Sequence, residues 1–377
     1  MNIKAKFYQP ELDGLRFFAF LAVFISHCFS QDPAYYVRAG LPESLATWIA
    51  RGIASGGNGV PLFFILSSYL ITELLLREHE KRGKIDVKAF YMRRILRIWP
   101  LYFAFLLAVF IFIPHDSPYG IRTRTLAALL LFSGNWISIY GGFATHSLAG
   151  PLWSVSVEEQ FYLIWPLLIN RIGPQRIKTV AIAFIAIAML IRAGMDISGR
   201  FTMTAVWGNT FAWLDSIAAG TLLAVVLRGA TPRFGSFARF ALLLSGVALW
   251  VISARGYGYL PLRNLIHFPF IIVGSLAMML GALGSHWLSN TILVYLGRIS
   301  YGLYVLHPVG MAVAGFVFPE FSFLYAATGL ISTVLCAALA YRFLEAPFLR
   351  LKKRFTYIES QPGNSKAELA EPEPASL

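Results

Sequence analysis

Nine long apolar stretches run through this chain, near 14–30, 57–77, 97–114, 177–195, 205–228, 237–254, 262–284, 292–317 and 322–345. No other feature limits the fold as strongly. Apolar runs of this length suit the hydrocarbon core of a bilayer, and they read as membrane helices. Composition agrees: 57% of residues are hydrophobic and 14% are charged, too few polar groups to cover a water-facing surface. The expected fold is all-α, a polytopic transmembrane helix bundle.

Charge placement orients the expected helices. The chain has 32 basic and 19 acidic residues, a net charge of +13. The basic residues gather in short clusters at 77–97, 171–178, 228–239 and 350–354. Scattered interhelical clusters do not make a nucleic-acid surface; they mark cytoplasmic loops. If all four lie inside, 122–170 makes one net crossing, as a helix plus a re-entrant or half-helix element around Gly141 and Gly142. That gives about ten crossings with both termini cytoplasmic. Phe17–Phe29 follows Asp13 and Arg16 and lacks a clear cleavage site, so it reads as a retained first helix. Cys28 and Cys336 lie in apolar runs and form no metal or disulfide set. Residues 355–377 are polar and Pro-rich and are expected to be a disordered cytoplasmic tail, leaving 1–354 as one membrane domain.

Several polar groups interrupt the apolar runs. Arg16 and His27 are eleven positions apart. They share a helix face and stand about 16 Å apart along the axis. His27 then lies deep in the membrane facing a cavity or partner, or is simply hydrated at the outer interface. Arg93, Arg94 and Arg97 precede an apolar helix. Positive-inside anchoring explains them, but Arg94 and Arg97 share a face and suit a phosphate that arrives from the cytoplasm. In Trp153-Ser154-Val155-Ser156-Val157-Glu158-Glu159, the two adjacent carboxylates point about 100° apart and are no proton-sharing dyad. Ser156 and Glu159 fit a capping box, which leaves Glu158 for function. Ser300, Tyr304 and His307 form one polar stripe. Glu345 reads as part of a local charge pair at the end of the last helix.

Taken together these stretches resemble the acyltransferase-3 family of multi-pass membrane acyltransferases, from about Tyr8 to Arg354. Its Arg-x10-His element falls on Arg16 and His27, and its Arg-x-x-Arg element on Arg94 and Arg97. Its Trp-Ser-x-x-x-Glu segment falls on Trp153, Ser154 and Glu158, and its Ser-Tyr-x-x-Tyr-x-x-His segment on Ser300, Tyr301, Tyr304 and His307. The resemblance implies a bacterial inner-membrane enzyme that takes an acyl group from acyl-CoA, most simply acetyl-CoA, and O-acylates a glycan or sugar-containing acceptor. Three positions depart from the pattern. Ser68 replaces a glycine, Trp213 replaces a basic residue before Leu214-Asp215, and Ala346 replaces an arginine in Glu345-Ala346-Pro347. Some members carry a fused SGNH-type esterase domain; none is read here, so a relay step would need a separate periplasmic partner.

The expected catalytic residues are His27, Arg16 and Glu158, with His27 as general base or acyl-accepting nucleophile and Glu158 orienting it or a substrate. Arg93, Arg94 and Arg97 are expected to hold the acyl-CoA phosphates. Trp153, Ser300, Tyr304 and His307 are expected at the acceptor. No metal-ligand spacing is present, no permanently bound cofactor is expected, and the partners are acyl-CoA, the acceptor and membrane lipid. The rival reading is a transporter of a glycan or small anion, since intramembrane Arg, His and Glu also mark substrate paths. A clear inverted repeat would favour it, and none is evident.

Overall fold

Local signals set the helix ends. Pro10 occupies a first-turn position of α1 (Pro10–Cys28), where no intrahelical N–H is needed, and Glu11 and Asp13 sit at its positive end. Asp32 caps α2 (Pro33–Arg38) through the Ala34 N–H. Helix α3 (Glu43–Ser55) continues through a tight turn into α4 (Gly59–Arg82), which stops at Gly83 with φ +70°. Asp86 caps α5 (Val87–Phe112). The Ala89 N–H, then the Tyr357 hydroxyl, hold the Asp86 carboxyl below its ordinary pKa range. The computed structural model describes residues 5–140, 147–254 and 262–359.

The remaining helices are α6 (Thr123–Leu130), α7 (Gly134–Tyr140), α8 (Leu152–Ile172), α9 (Ile177–Ser198), α10 (Met203–Gly208), α11 (Leu214–Leu227), α12 (Ser236–Ser253), α13 (Arg263–Ala282), α14 (Thr291–Arg298), α15 (Ser300–Gly315), α16 (Phe323–Ala340) and α17 (Ala346–Lys352). Among the described residues the fold is all-α apart from a two-residue parallel pairing of Ala5–Lys6 with Ile358–Glu359. Among the described residues, seven helical segments are long and apolar enough to cross a membrane, and an eighth if α14 and α15, bent by 73°, count as one broken span. Helices α1 and α8 are of similar length but carry Glu11, Asp13 and Arg16, and Glu158 and Glu159, respectively. The expectation of about ten crossings counts both of these.

Where sequence reading drew single segments, the chain is broken twice. The stretch 205–228 is α10, a 3-10 turn at Thr210–Trp213, and α11. The stretch 292–317 is the bent α14–α15 pair. In 122–170, α6 and α7 are too short to span a bilayer at 1.5 Å per residue, and α8 is the long element. Gly141 and Gly142 lie outside the described residues, as does 360–377 of the expected tail. The start of that tail is docked: Ile358 is buried and the Tyr357 hydroxyl reaches Asp86.

Helix α1 is the hub. It packs against α3, α4, α13, α14, α15 and α16, and Leu12, Leu15, Phe20, Val23 and Phe24 are buried around it. Close approach is made by small residues. A Cβ on Gly59 would stand 2.3 Å from the Ala19 carbonyl oxygen, so α4 can begin against α1 only with glycine there. Helix α11 approaches α4 in the same way: a Cβ on Gly220 would stand 2.1 Å from the Ser68 hydroxyl. The glycine missing at position 68 is thus supplied from the facing helix. Helices α9 and α12 lie outside and show large apolar side chains such as Ile182, Leu190, Phe237 and Phe240 to the surroundings.

The four basic clusters meet at one end of the bundle. Arg93 bonds Glu78 and the Phe355 carbonyl. Arg77 lies against Gly229, and Arg239 against Gly284. Helix α8 runs from Ser154, bonded to Tyr304, past the Tyr91–Leu163 contact towards Arg171. The glycine exchange is testable in detergent. Gly220→Leu should destabilise by about 1–3 kcal/mol through overpacking, while Ser68→Gly should cost under about 1 kcal/mol. Thermal unfolding of the purified variants measures both.

Candidate active site

His27 ends α1 and meets α15. Its Nδ1 lies 2.9 Å from Nε2 of His307, and the two rings stack with centroids 5.1 Å apart. His307 is fully buried behind it, against Phe20 and Tyr304. Its Nδ1 lies 2.7 Å from the Tyr304 carbonyl oxygen. The Tyr304 hydroxyl is 2.8 Å from Ser154 Oγ and 3.1 Å from the Pro151 carbonyl, which ties α15 to the start of α8.

His27 is exposed to a cavity of about 870 Å³. Trp153 and Trp207 form part of the wall, with ring centroids 6.1 Å apart and planes at 71°. Ser30, Asp32, Tyr119 and Glu320 line the cavity towards the chain segments that follow α1, α5 and α15. Those segments lie at the end opposite the basic clusters. The cavity offers an imidazole, hydroxyl groups and indole faces, a set suited to a polar molecule with apolar ring faces.

The second group of expected residues lies towards the basic end. Arg16 is paired with Asp13 at 3.1 Å, and Asp13 also accepts from Tyr8 at 3.0 Å. Arg93 is bound to Glu78 at 3.0 Å, and Arg97 donates to the Arg298 carbonyl at 3.1 Å. Arg94 stacks against the rings of Phe90 and Tyr162 at 5.5 and 5.4 Å. Its buried Nε has no hydrogen-bond partner among the described residues. Arg16, Arg93 and Arg97 are close enough to act on Arg94 electrostatically, and Lys352 of α17 feels all four. Such a concentration of cations, with the Arg94 Nε unpaired among the described residues, has the chemistry that suits an anion.

Glu158 stands beside the hydroxyls of Ser67 and Tyr162, within electrostatic reach of Arg16 and Arg94. It is not in the cavity wall, and the group bonded to His27 is His307. Trp153, Tyr304 and His307 border the cavity, whereas Ser300, in the first turn of α15, does not. Two smaller expectations change. Helix α8 already begins at Leu152, so Ser156 bonds back to the Leu152 carbonyl and Glu159 accepts from Trp99 at 3.1 Å; there is no capping box. Glu345 is buried in a π-helical turn, Tyr341–Glu345, and neither carboxylate oxygen has a hydrogen-bond partner among the described residues. It forms no ion pair there, because Arg342 turns to the exposed Phe343 ring.

Sequence reading also missed Arg192, which is fully buried, pairs with Asp215 and donates to the Ala212 carbonyl at 2.7 Å. The basic partner absent beside Asp215 in sequence comes from α9 instead. A lone arginine inside an apolar run was the available signal. Arg192→Met should destabilise the fold by about 3–5 kcal/mol, because it strands a buried carboxylate. Adding Asp215→Leu should recover most of that loss in thermal unfolding of the purified protein.

The family described as Acyltransferase domain matches residues 9–342. The chain is similar to O-acetyltransferase OatA of Staphylococcus aureus strain NCTC 8325 / PS 47, 27% identical over 400 residues that cover 94% of this chain and 60% of the relative. The protein of the same name from strain MRSA252 is 27% identical over 382 residues, covering 90% of this chain and 57% of the relative. The chain therefore spans 57–60% of the length of these curated relatives. No solved structure matches it.

Proposed function

The chain belongs to the family described as Acyltransferase domain, and from that premise we propose that it is a membrane O-acetyltransferase that moves an acetyl group from acetyl-CoA to a hydroxyl of a glycan or sugar-containing acceptor. One observation carries this reading. His27 opens on a large polar-and-aromatic cavity, while Arg16, on the same face of the same helix, belongs to a cation cluster about 16 Å away. A nucleotide-bearing thioester is long, anionic at one end and reactive at the other. Such a molecule fits a site with those two poles.

In the proposed reaction the donor phosphates bind Arg94, Arg97, Arg93 and Lys352 at the basic end, which faces the cytoplasm. The pantetheine arm extends along α1 towards His27. The acceptor enters the cavity from the other side of the membrane, with sugar faces against Trp153 and Trp207. His27 removes the proton as the acceptor oxygen attacks the thioester carbonyl carbon. The carbon–sulfur bond breaks, and CoA leaves as the thiol with that proton. If His27 itself attacks, the acyl group rests on the imidazole until the acceptor oxygen takes it; both routes need an unprotonated nitrogen. Glu158, beside Arg16 and Arg94, balances charge between the poles. The protein sits in a bacterial inner membrane with both termini cytoplasmic, and a separate periplasmic partner fits as a relay to more distant hydroxyls.

Detergent-solubilised protein given labelled acetyl-CoA and cell-envelope glycans should release CoA and label the glycan. Folded His27→Ala should lose at least about a hundredfold in kcat, and Arg94→Ala should raise KM for acetyl-CoA. Wild-type turnover in His27→Ala would overturn the mechanism. No CoA release from the unaltered protein would point to transport.

A further inference from the structure

The histidine pair contains more order than two side chains in contact. In a regular helix the carbonyl of residue 304 accepts from the N–H of residue 308. Here residue 308 is proline, which has no N–H. The Tyr304 carbonyl is thereby left without its helical donor, and His307 Nδ1 lies 2.7 Å from it. A carbonyl oxygen can only accept, so His307 carries a proton on Nδ1.

A neutral imidazole has one N–H and one lone pair, so the lone pair of His307 is on Nε2. That nitrogen is 2.9 Å from His27 Nδ1, which must therefore donate to it. The lone pair of His27 is left on Nε2. Among the described residues that nitrogen has no hydrogen-bond partner, and His27 is exposed to the cavity. No acidic side chain bonds either imidazole among the described residues, so nothing adjacent favours a charged pair.

We propose that His307 is a positioning residue that fixes the tautomer of His27, and that Pro308 enables this by releasing the Tyr304 carbonyl. The chain of donation runs from His27 Nδ1 to His307 Nε2, and from His307 Nδ1 to the Tyr304 carbonyl. Its product is a basic His27 Nε2 in the cavity. Full burial of His307 suits this role better than contact with an acceptor. The catalytic consequence rests on the proposed function, but the tautomer does not.

Two experiments separate them. The first is ¹⁵N NMR of histidine-labelled protein in lipid nanodiscs at mildly alkaline pH, with signals assigned by loss in His27→Gln and His307→Gln. It should find both rings neutral and protonated on Nδ1. A His27 protonated on Nε2 would overturn the proposal, with no substrate needed. The second is CoA release. His307→Leu, which removes the acceptor for His27 Nδ1–H, should lower kcat roughly 10²–10⁴-fold with KM for acetyl-CoA little changed, the size of a wrong-tautomer defect. His307→Gln keeps a side-chain oxygen that can accept and should recover at least about tenfold of that loss. Pro308→Ala restores a competing helical N–H and should fall between wild type and His307→Leu. Unchanged kcat in a folded His307→Leu protein, or no advantage of Gln over Leu, would sink the positioning role. If His27→Ala retains full turnover while the ¹⁵N spectrum shows the expected tautomers, the reaction scheme fails and the tautomer assignment stands.

Discussion

The contact between His27 and His307 joins positions 280 residues apart, and much of the bundle is arranged so that it can form. It needs α1 at the centre, with α15 beside it and α8 close enough for Ser154 to hold Tyr304. Backbone approach through Gly59 brings α4 against α1, and the bend of 73° between α14 and α15 aims the second half of that pair at the end of α1. Removed from this packing, His27 Nδ1 and His307 Nε2 would lose each other in an apolar interior, where an unsatisfied polar group is costly.

The same cost explains how polar groups are distributed elsewhere. Arg192 and Asp215 satisfy each other between α9 and α11, so that pair belongs to the structure of the bundle. Arg93 and Arg97 are also spoken for, by Glu78 and by backbone carbonyls. Arg94 differs, since it has aromatic faces around it and an Nε without a hydrogen-bond partner among the described residues. Glu345 is another buried group without a hydrogen-bond partner among the described residues, and it feels Arg97.

Two poles on one helix give the molecule its direction. The cation cluster is at the end where the four basic clusters gather, and the cavity opens towards the other. Helix α1 connects them with a rise of about 1.5 Å per residue, so the spacing of Arg16 and His27 is a fixed ruler between the cation cluster and an imidazole. A chain that kept both residues but changed their separation would misplace one pole relative to the other.

Much of this was legible in the residues. Long apolar runs with few charges can only be helices in lipid, and an eleven-residue spacing puts Arg16 and His27 on one face whatever surrounds them. Helical periodicity likewise grouped Tyr304 with His307, and Arg94 with Arg97. Other features were hidden because they join distant segments. No periodicity connects His27 with His307, Arg192 with Asp215, or Ser68 with Gly220. Glu158 was expected to orient His27 or a substrate, and Ser300 to stand at the acceptor; packing put the first with Ser67 and Tyr162 and left the second outside the cavity wall. Sequence alone thus determined the solvent the chain must live in and which residues share a helix face, because both follow from local hydropathy and a fixed helical pitch. Tertiary structure decided which polar groups satisfy one another and which are left to face the cavity, because in a low-dielectric interior each must find its partner through helix packing.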